Sequence, residues 1–155
     1  MMYLLQYWDF KSDFLDVKLL KFIKNYKNMA QKVLIIEDED VLRNILAKKL
    51  EKEGYEVVVA ADGEKGMESV RNENPDIVLL DILLPKKNGY QILEEMHDDV
   101  DLKKIPVLII SNSGQPVEVK RLLELGACDY LVKADFEPKE VIDKMRICLN
   151  KNNFK

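Results

Sequence analysis

Five short apolar runs constrain the fold of this chain more than any other feature. Val33–Ile36, Val57–Ala60, Ile77–Leu80, Val107–Ile110 and Tyr130–Val132 contain no charged residue. A strand with one face in water alternates apolar and polar residues, whereas an uninterrupted run suits a strand covered on both faces. Between the runs the period changes to that of a helix. Asp40–Glu53 carries Leu42, Ile45, Leu46 and Leu50 at helical spacing and stops at Gly54. Gly63–Asn72 turns Met67 and Val70 inward, and Tyr90–Met96 is helical in pattern. Pro116–Leu125 is also helical and ends at Gly126. Pro138 opens a last helix, at the position where its missing N–H costs nothing, and that helix buries Val141, Ile142, Met145, Cys148 and Leu149. The alternation predicts an α/β domain with a parallel sheet and helices on both faces. Right-handed crossovers leave few topologies.

In open sheets of this class, ligands bind beyond the carboxyl ends of the strands, where strand order reverses. Those ends carry the chemistry-bearing residues. Glu37, Asp38, Glu39 and Asp40 follow the first run, Asp81 the third, Ser111 the fourth and Lys133 the fifth. Carboxylates gathered at one edge repel and need a cation. Oxygen ligands suit Mg²⁺, which keeps waters and uses few carboxylates. The cation would draw a phosphoryl group toward the acids. Ser111 could hydrogen-bond a phosphoryl oxygen, and Lys133 could pair with it as a point charge. Asp40 reads as a helix N-terminal acid favoured by the dipole.

The runs Val33-Leu34-Ile35-Ile36-Glu37-Asp38-Glu39, Pro75-Asp76-Ile77-Val78-Leu79-Leu80-Asp81 and Asp129-Tyr130-Leu131-Val132-Lys133, with Pro85 and Gly89, resemble a bacterial response-regulator receiver domain of the single-domain, chemotaxis-regulator type. The resemblance covers roughly residues 32–150. It implies a doubly wound, flavodoxin-like, five-stranded parallel sheet in the order 2-1-3-4-5 with five helices on two faces. It implies that Asp81 is the phosphoacceptor. Glu37 and Asp38 would be the acidic pair that organises Mg²⁺, with Asp81 and the Leu83 carbonyl as further ligands. Ser111 would be the hydroxyl switch, Tyr130 the aromatic switch and Lys133 the phosphoryl-binding lysine. The partners implied are a sensor histidine kinase or histidine phosphotransfer protein and a downstream protein target.

Three positions depart from the family pattern. Asn112 stands where a small residue is usual. Ala134 follows Lys133 where proline in a cis bond is usual, and a cis bond before a non-proline costs about 2.5–4 kcal/mol. The acidic pair begins with the longer Glu37. Three other functions are less well matched. A flavodoxin-type electron carrier needs a phosphate-cradling loop after the first strand, where this chain has four acids. A Mg²⁺-dependent aspartyl phosphohydrolase needs a cap or substrate pocket that no insertion supplies. A degenerate receiver acting as an unphosphorylated adaptor would not need the full polar set.

Composition narrows the rest. Asp plus Glu number 28 against 24 Lys plus Arg, a net charge of −4, which argues against a grip on nucleic acid. No uncharged apolar run reaches membrane-span length, and the start lacks the order of a secretory signal, so the expectation is a cytoplasmic protein without a span. The two cysteines, Cys128 and Cys148, have no metal-ligand spacing and read as free thiols. The single histidine, His97, reads as a helix-end surface residue.

Residues 1–28 differ from the remainder. They lack Gly, Ala, Pro and Arg and hold five lysines against three aspartates. The expected division is an extension over 1–28 and a receiver over 29–155, with no output domain after it. AT-rich upstream sequence translated from an early start codon accounts for such a composition. The competing reading is a helix with the apolar stripe Phe14, Leu15, Leu19, Phe22, Ile23 and Tyr26 beside Lys18, Lys21, Lys24 and Lys27, able to dock on the domain, another chain or an anionic membrane.

Overall fold

The computed structural model describes residues 17–23 and 31–152. Five strands, β1 (Lys32–Ile36), β2 (Glu56–Ala60), β3 (Ile77–Leu80), β4 (Val107–Ser111) and β5 (Asp129–Val132), alternate with five helices. The helices are α1 (Asp40–Lys52), α2 (Gly63–Glu73), α3 (Gly89–Asp98), α4 (Pro116–Glu124) and α5 (Pro138–Asn152). A short 3₁₀ turn, Leu102–Lys104, precedes β4. The strands form one parallel sheet in the order β2-β1-β3-β4-β5, as expected, with order reversing at β1 and β3.

Alternate side chains of each inner strand enter two cores. Leu34, Ile36, Val78, Leu80 and Ile109 pack with Met67 and Val70 of α2, Ile92, Leu93 and Met96 of α3, and Leu122 of α4. Val33, Ile35, Ile77, Leu79 and Leu108 pack with Leu46 and Leu50 of α1 and the inner face of α5. The continuous apolar runs therefore serve two layers of helices at once. β2 is the exception, because it lies at the sheet edge: Val59 is 48% exposed. Ile45, expected inward, is 47% exposed. Leu42, Leu46 and Leu50 recur every four residues and set the buried row of α1, so Ile45 falls on its flank.

Helix ends follow local chemistry. The Asn88 side chain accepts from the Gln91 amide and the Gln91 side chain from the Asn88 amide, a reciprocal capping box that starts α3. Gly54 and Gly126, just beyond α1 and α4, take positive φ values of 92° and 99°. His97 is exposed in the last turn of α3, as expected. Among the described residues no helix is long and apolar enough to cross a membrane.

The cysteines correct the sequence reading, because they are bonded to each other. Cys128 lies directly before β5, and Cys148 is on the inner face of α5 that lies over it. Their Cα atoms are 5.9 Å apart, inside the range a disulfide spans. A separation of 20 residues gave no hint of that approach, which depends on how α5 packs.

The segment 17–23 is helical, with Val17, Leu19, Leu20, Phe22 and Ile23 at least half exposed. Leu20, off the expected stripe, is as exposed as Phe22 on it. Phe14, Leu15, Lys24, Tyr26 and Lys27 lie outside the described residues.

Closing a loop of this size by a disulfide is worth about 3 kcal/mol in the chain-entropy account. Thiol titration of the oxidised protein in denaturant should find no free cysteine, and two after reduction. Reduction should lower the unfolding free energy measured in urea by about 3 kcal/mol.

Candidate functional site

The backbone ladders run one residue past the strand ends and carry the site with them. The Glu37 amide donates to the Ala60 carbonyl at 3.1 Å, and the Asp81 amide to the Ile36 carbonyl at 3.0 Å. At the other side of the sheet, the Lys133 amide donates to the Ser111 carbonyl at 2.8 Å. Parallel pairing therefore aligns Glu37 with Asp81, and sets Lys133 one residue beyond Val132, the register partner of Ser111, whatever their side chains prefer.

Glu37, Asp81 and Ser111 are buried, at 2%, 3% and 4% exposure. The Lys133 ammonium lies between the two buried carboxylates, 2.8 Å from Glu37 Oε2 and 2.9 Å from Asp81 Oδ2. Glu37 Oε1 accepts from the Glu39 amide at 3.0 Å, so both of its oxygens are engaged. Asp81 Oδ1 is 3.4 Å from the Leu83 amide. Asp38 is exposed, and among the described residues no hydrogen bond reaches its carboxylate.

Burial raises the pKa of Glu37. The hydrogen bonds from Lys133 and the Glu39 amide oppose that shift without cancelling it, and the charge on Asp81 adds to it. For Lys133, burial favours the neutral form, but hydrogen bonds to Glu37 and Asp81 outweigh it and raise the pKa, so the ammonium stays charged.

The donor set fits a hard divalent ion. Carboxylate oxygens of Glu37, Asp38 and Asp81 lie within 4.8 Å of one another. Three carboxylates against one ammonium leave two negative charges, which a divalent cation balances. Opposite ligands of Mg²⁺ are about 4.2 Å apart, twice its usual oxygen distance. Both oxygens of Glu37 already have partners.

Tyr130 is 8% exposed, and its hydroxyl is buried without a hydrogen bond of ordinary geometry. Burial raises the phenol pKa; Ser111 opposes that shift without cancelling it. Tyr130, expected to be the aromatic switch, has its ring inside in this structure. Asn112 is exposed beside Ser111, and no cis peptide bond occurs among the described residues, so Lys133–Ala134 is trans.

Two residues were missed in the sequence. Arg43 donates to the Glu37 carbonyl at 2.9 Å and pairs with Asp40, fixing the turn that carries the acidic pair. Asp62, buried at the end of β2, accepts from the Lys65 amide at 2.8 Å and from Lys86 at 3.2 Å. The Asp62-Gly63 pair ahead of a helical pattern was the available signal for a cap.

With this geometry in place, comparison with known proteins decides the family. The family model described as the response regulator receiver domain matches residues 33–146. The chain belongs to that family. The receiver is 41% identical over 123 residues to a probable transcriptional regulator, ycf27, of Guillardia theta, covering 79% of this chain and 47% of that protein. It is 32% identical over 124 residues to the alkaline phosphatase synthesis transcriptional regulatory protein PhoP of Bacillus subtilis, covering 80% and 50%. The chain thus spans about half the length of these relatives. Among solved structures, a Francisella response regulator receiver domain superposes with a TM-score of 0.73 at 26% identity, covering 78% of this chain and 98% of that one. A putative response regulator from Chloroflexus aurantiacus gives 0.72 at 32% identity, covering 77% and 98%. Receiver family and flavodoxin-like topology therefore agree with the sequence reading.

An assembled acidic site that binds a cation only in the folded receiver stabilises the fold by mass action. At ten times its dissociation constant, Mg²⁺ should add about 1.4 kcal/mol, a rise of roughly 4 °C in melting temperature. Asp38→Ala should remove most of that rise. An unresponsive wild-type protein would count against the site.

Proposed function

We propose that this receiver is the phosphoacceptor module of a two-component phosphorelay, with Asp81 as the acceptor. The observation that supports this most is the Lys133 ammonium held between Glu37 and Asp81 at the switch point of the sheet. In this reading one carboxylate oxygen of Asp81 attacks the phosphorus of a phosphohistidine on a kinase or histidine phosphotransfer protein. A P–O bond forms, the P–N bond breaks, and the imidazole leaves with the electron pair. Bound Mg²⁺ supplies charge neutralisation for the transferring group. Asp38, Asp81 and the Leu83 carbonyl would hold it directly, and Glu37 through water.

The protein residues then position and neutralise. Lys133 already contacts Asp81 Oδ2, so it moves only a short way to meet a phosphoryl oxygen bonded there. Once it does, its hold on Glu37 is shared with a stronger anion. Ser111, one strand away on β4, donates its hydroxyl hydrogen to an oxygen of the same group. Rearrangement at Ser111 is sensed by Tyr130, which packs behind it. This is a two-state element biased by phosphorylation. The chain catalyses only its own labelling and slow hydrolysis, and it signals by contact with a protein target.

The transcriptional regulators that match this chain do so over only about half of their length. Any contact with nucleic acid in those proteins is not carried over to the receiver, which is net acidic. Residues 29–155 suffice for the proposed activity, with 1–28 as a dispensable extension.

Acetyl phosphate with Mg²⁺ should add a single phosphoryl group, read by intact mass, and Asp81→Asn should abolish it. Retained labelling in that variant removes the central assignment. Lys133→Ala should still bind Mg²⁺ yet lose the conformational response to phosphorylation. A chain starting at Met29 should match the full chain in melting temperature and Asp81 labelling; a marked loss in either makes the extension an integral part.

A further inference from the structure

We infer that Gly63 and Asp62, at the start of α2, are positioning residues for the cation site, acting through the loop 82–88. This deepens the metal reading above and rests on it. The loop leaves Asp81, carries the Leu83 carbonyl and returns to α3. Its two apolar anchors, Ile82 at 6% and Leu84 at 9% exposure, flank Leu83, which is 69% exposed. The far half of the loop is held by its own hydrogen bonds, from the Lys87 amide to the Pro85 carbonyl and from the Gly89 amide to the Ile82 carbonyl, each at 2.8 Å, and by contacts from α2.

The Gly63 amide donates to the Pro85 carbonyl at 3.2 Å. The approach is so close that a Cβ on Gly63 would lie 1.7 Å from the Lys87 carbonyl oxygen and 2.6 Å from its carbon. Backbone, not a flexible side chain, fills that space, so any side chain at 63 displaces the loop. Lys86 adopts a left-handed φ of 67°, and its ammonium reaches Asp62 Oδ2 at 3.2 Å. Asp62 Oδ1 at the same time caps α2 through the Lys65 amide at 2.8 Å. One buried carboxylate thus starts the helix and ties down the loop. Glu95 of α3 closes the other side, pairing with both Lys87 and Arg71.

These contacts matter for the cation because Mg²⁺ demands near-ideal octahedral geometry, and a carbonyl ligand has no side-chain torsions with which to adjust. Groups that orient ligands typically change metal affinity by about 10–100-fold. The Lys86–Asp62 pair is half exposed at Lys86, and so contributes less than the backbone approach at Gly63.

The test uses the full chain stripped with EDTA, titrated with Mg²⁺ by calorimetry, and followed by hydrogen–deuterium exchange of residues 82–88 without metal. Gly63→Ala should weaken Mg²⁺ binding about tenfold, and Lys86→Met about threefold. Exchange over 82–88 should be faster in both variants. A merely structural role would lower the metal-free melting temperature and leave Mg²⁺ affinity at the wild-type value, which overturns the inference. If Gly63→Ala does not fold, Lys86→Met decides: unchanged affinity with unchanged exchange overturns it. Wild-type protein that binds no Mg²⁺ overturns the metal reading itself, whereas wild-type binding with unaltered variants overturns this inference alone.

Discussion

The structure depends on one ammonium group placed between two buried carboxylates. Glu37 and Asp81 are driven together by parallel strand pairing, not by attraction, since the ladders between β1, β2 and β3 extend through both residues. Two buried carboxylates placed side by side repel, and a counter-charge between them offsets that repulsion. Lys133 supplies it from β5, two strands beyond β3. Its own burial would favour neutrality, and only the paired acids hold it charged. The ammonium and the two acids are thus mutually supporting. Breaking one member of such a buried set costs several kcal/mol, because the remaining charges are stranded. The set is a poor choice for stability alone, which is a physical argument for function at this edge.

Charge balance explains why the site is open on one side. Lys133 neutralises only part of the acidic cluster, and the unmatched portion is carried by Asp38, which faces solvent. A cation can therefore enter without rearranging the core. A phosphoryl group on Asp81 would then meet an already assembled set of positive partners. On the proposed reading the fold has prepared the charge pattern of the product, so little reorganisation accompanies the transfer.

Most of this arrangement was legible in the sequence for a simple reason. Continuous apolar runs define buried parallel strands, and parallel strands place their following residues at a common edge. Glu37, Asp38, Asp81, Ser111 and Lys133 needed only that rule to be grouped. What could not be read depends on helix placement. The Cys128–Cys148 bond follows from how α5 lies over the start of β5, and the exposure of Ile45 from the rotation of α1 about its axis. Arg43 resembles any helix arginine until its guanidinium is seen on the Glu37 carbonyl. Gly63 resembles an ordinary helix start until the Lys87 backbone is found in the space its side chain would occupy. The Lys133–Ala134 bond, left open by sequence, is trans, as the cost of a cis bond before alanine favours.

The same edge contains the element that could convert charge into shape. Tyr130 lies on β5 three residues before Lys133, and among the described residues its buried hydroxyl has no hydrogen bond of ordinary geometry, with Ser111 the side chain that acts on it. A buried hydroxyl left wholly unsatisfied costs about 1–3 kcal/mol, and a poorly aligned contact with Ser111 offsets only part of that, so the inward ring is held by packing against its polar preference. That opposition makes the position responsive. A shift of Ser111 that offered the phenol a hydrogen bond would stabilise the inward ring by a comparable amount. A change that loosened the apolar contacts would release it toward solvent, where water satisfies the hydroxyl. A difference of 1–3 kcal/mol is about 5- to 150-fold in population, the range in which a two-state element can be switched by a single charge. Lys133 directly follows the short edge strand that carries Tyr130, so on the proposed reading a pull on the ammonium would act on backbone that no second strand flanks on its outer side.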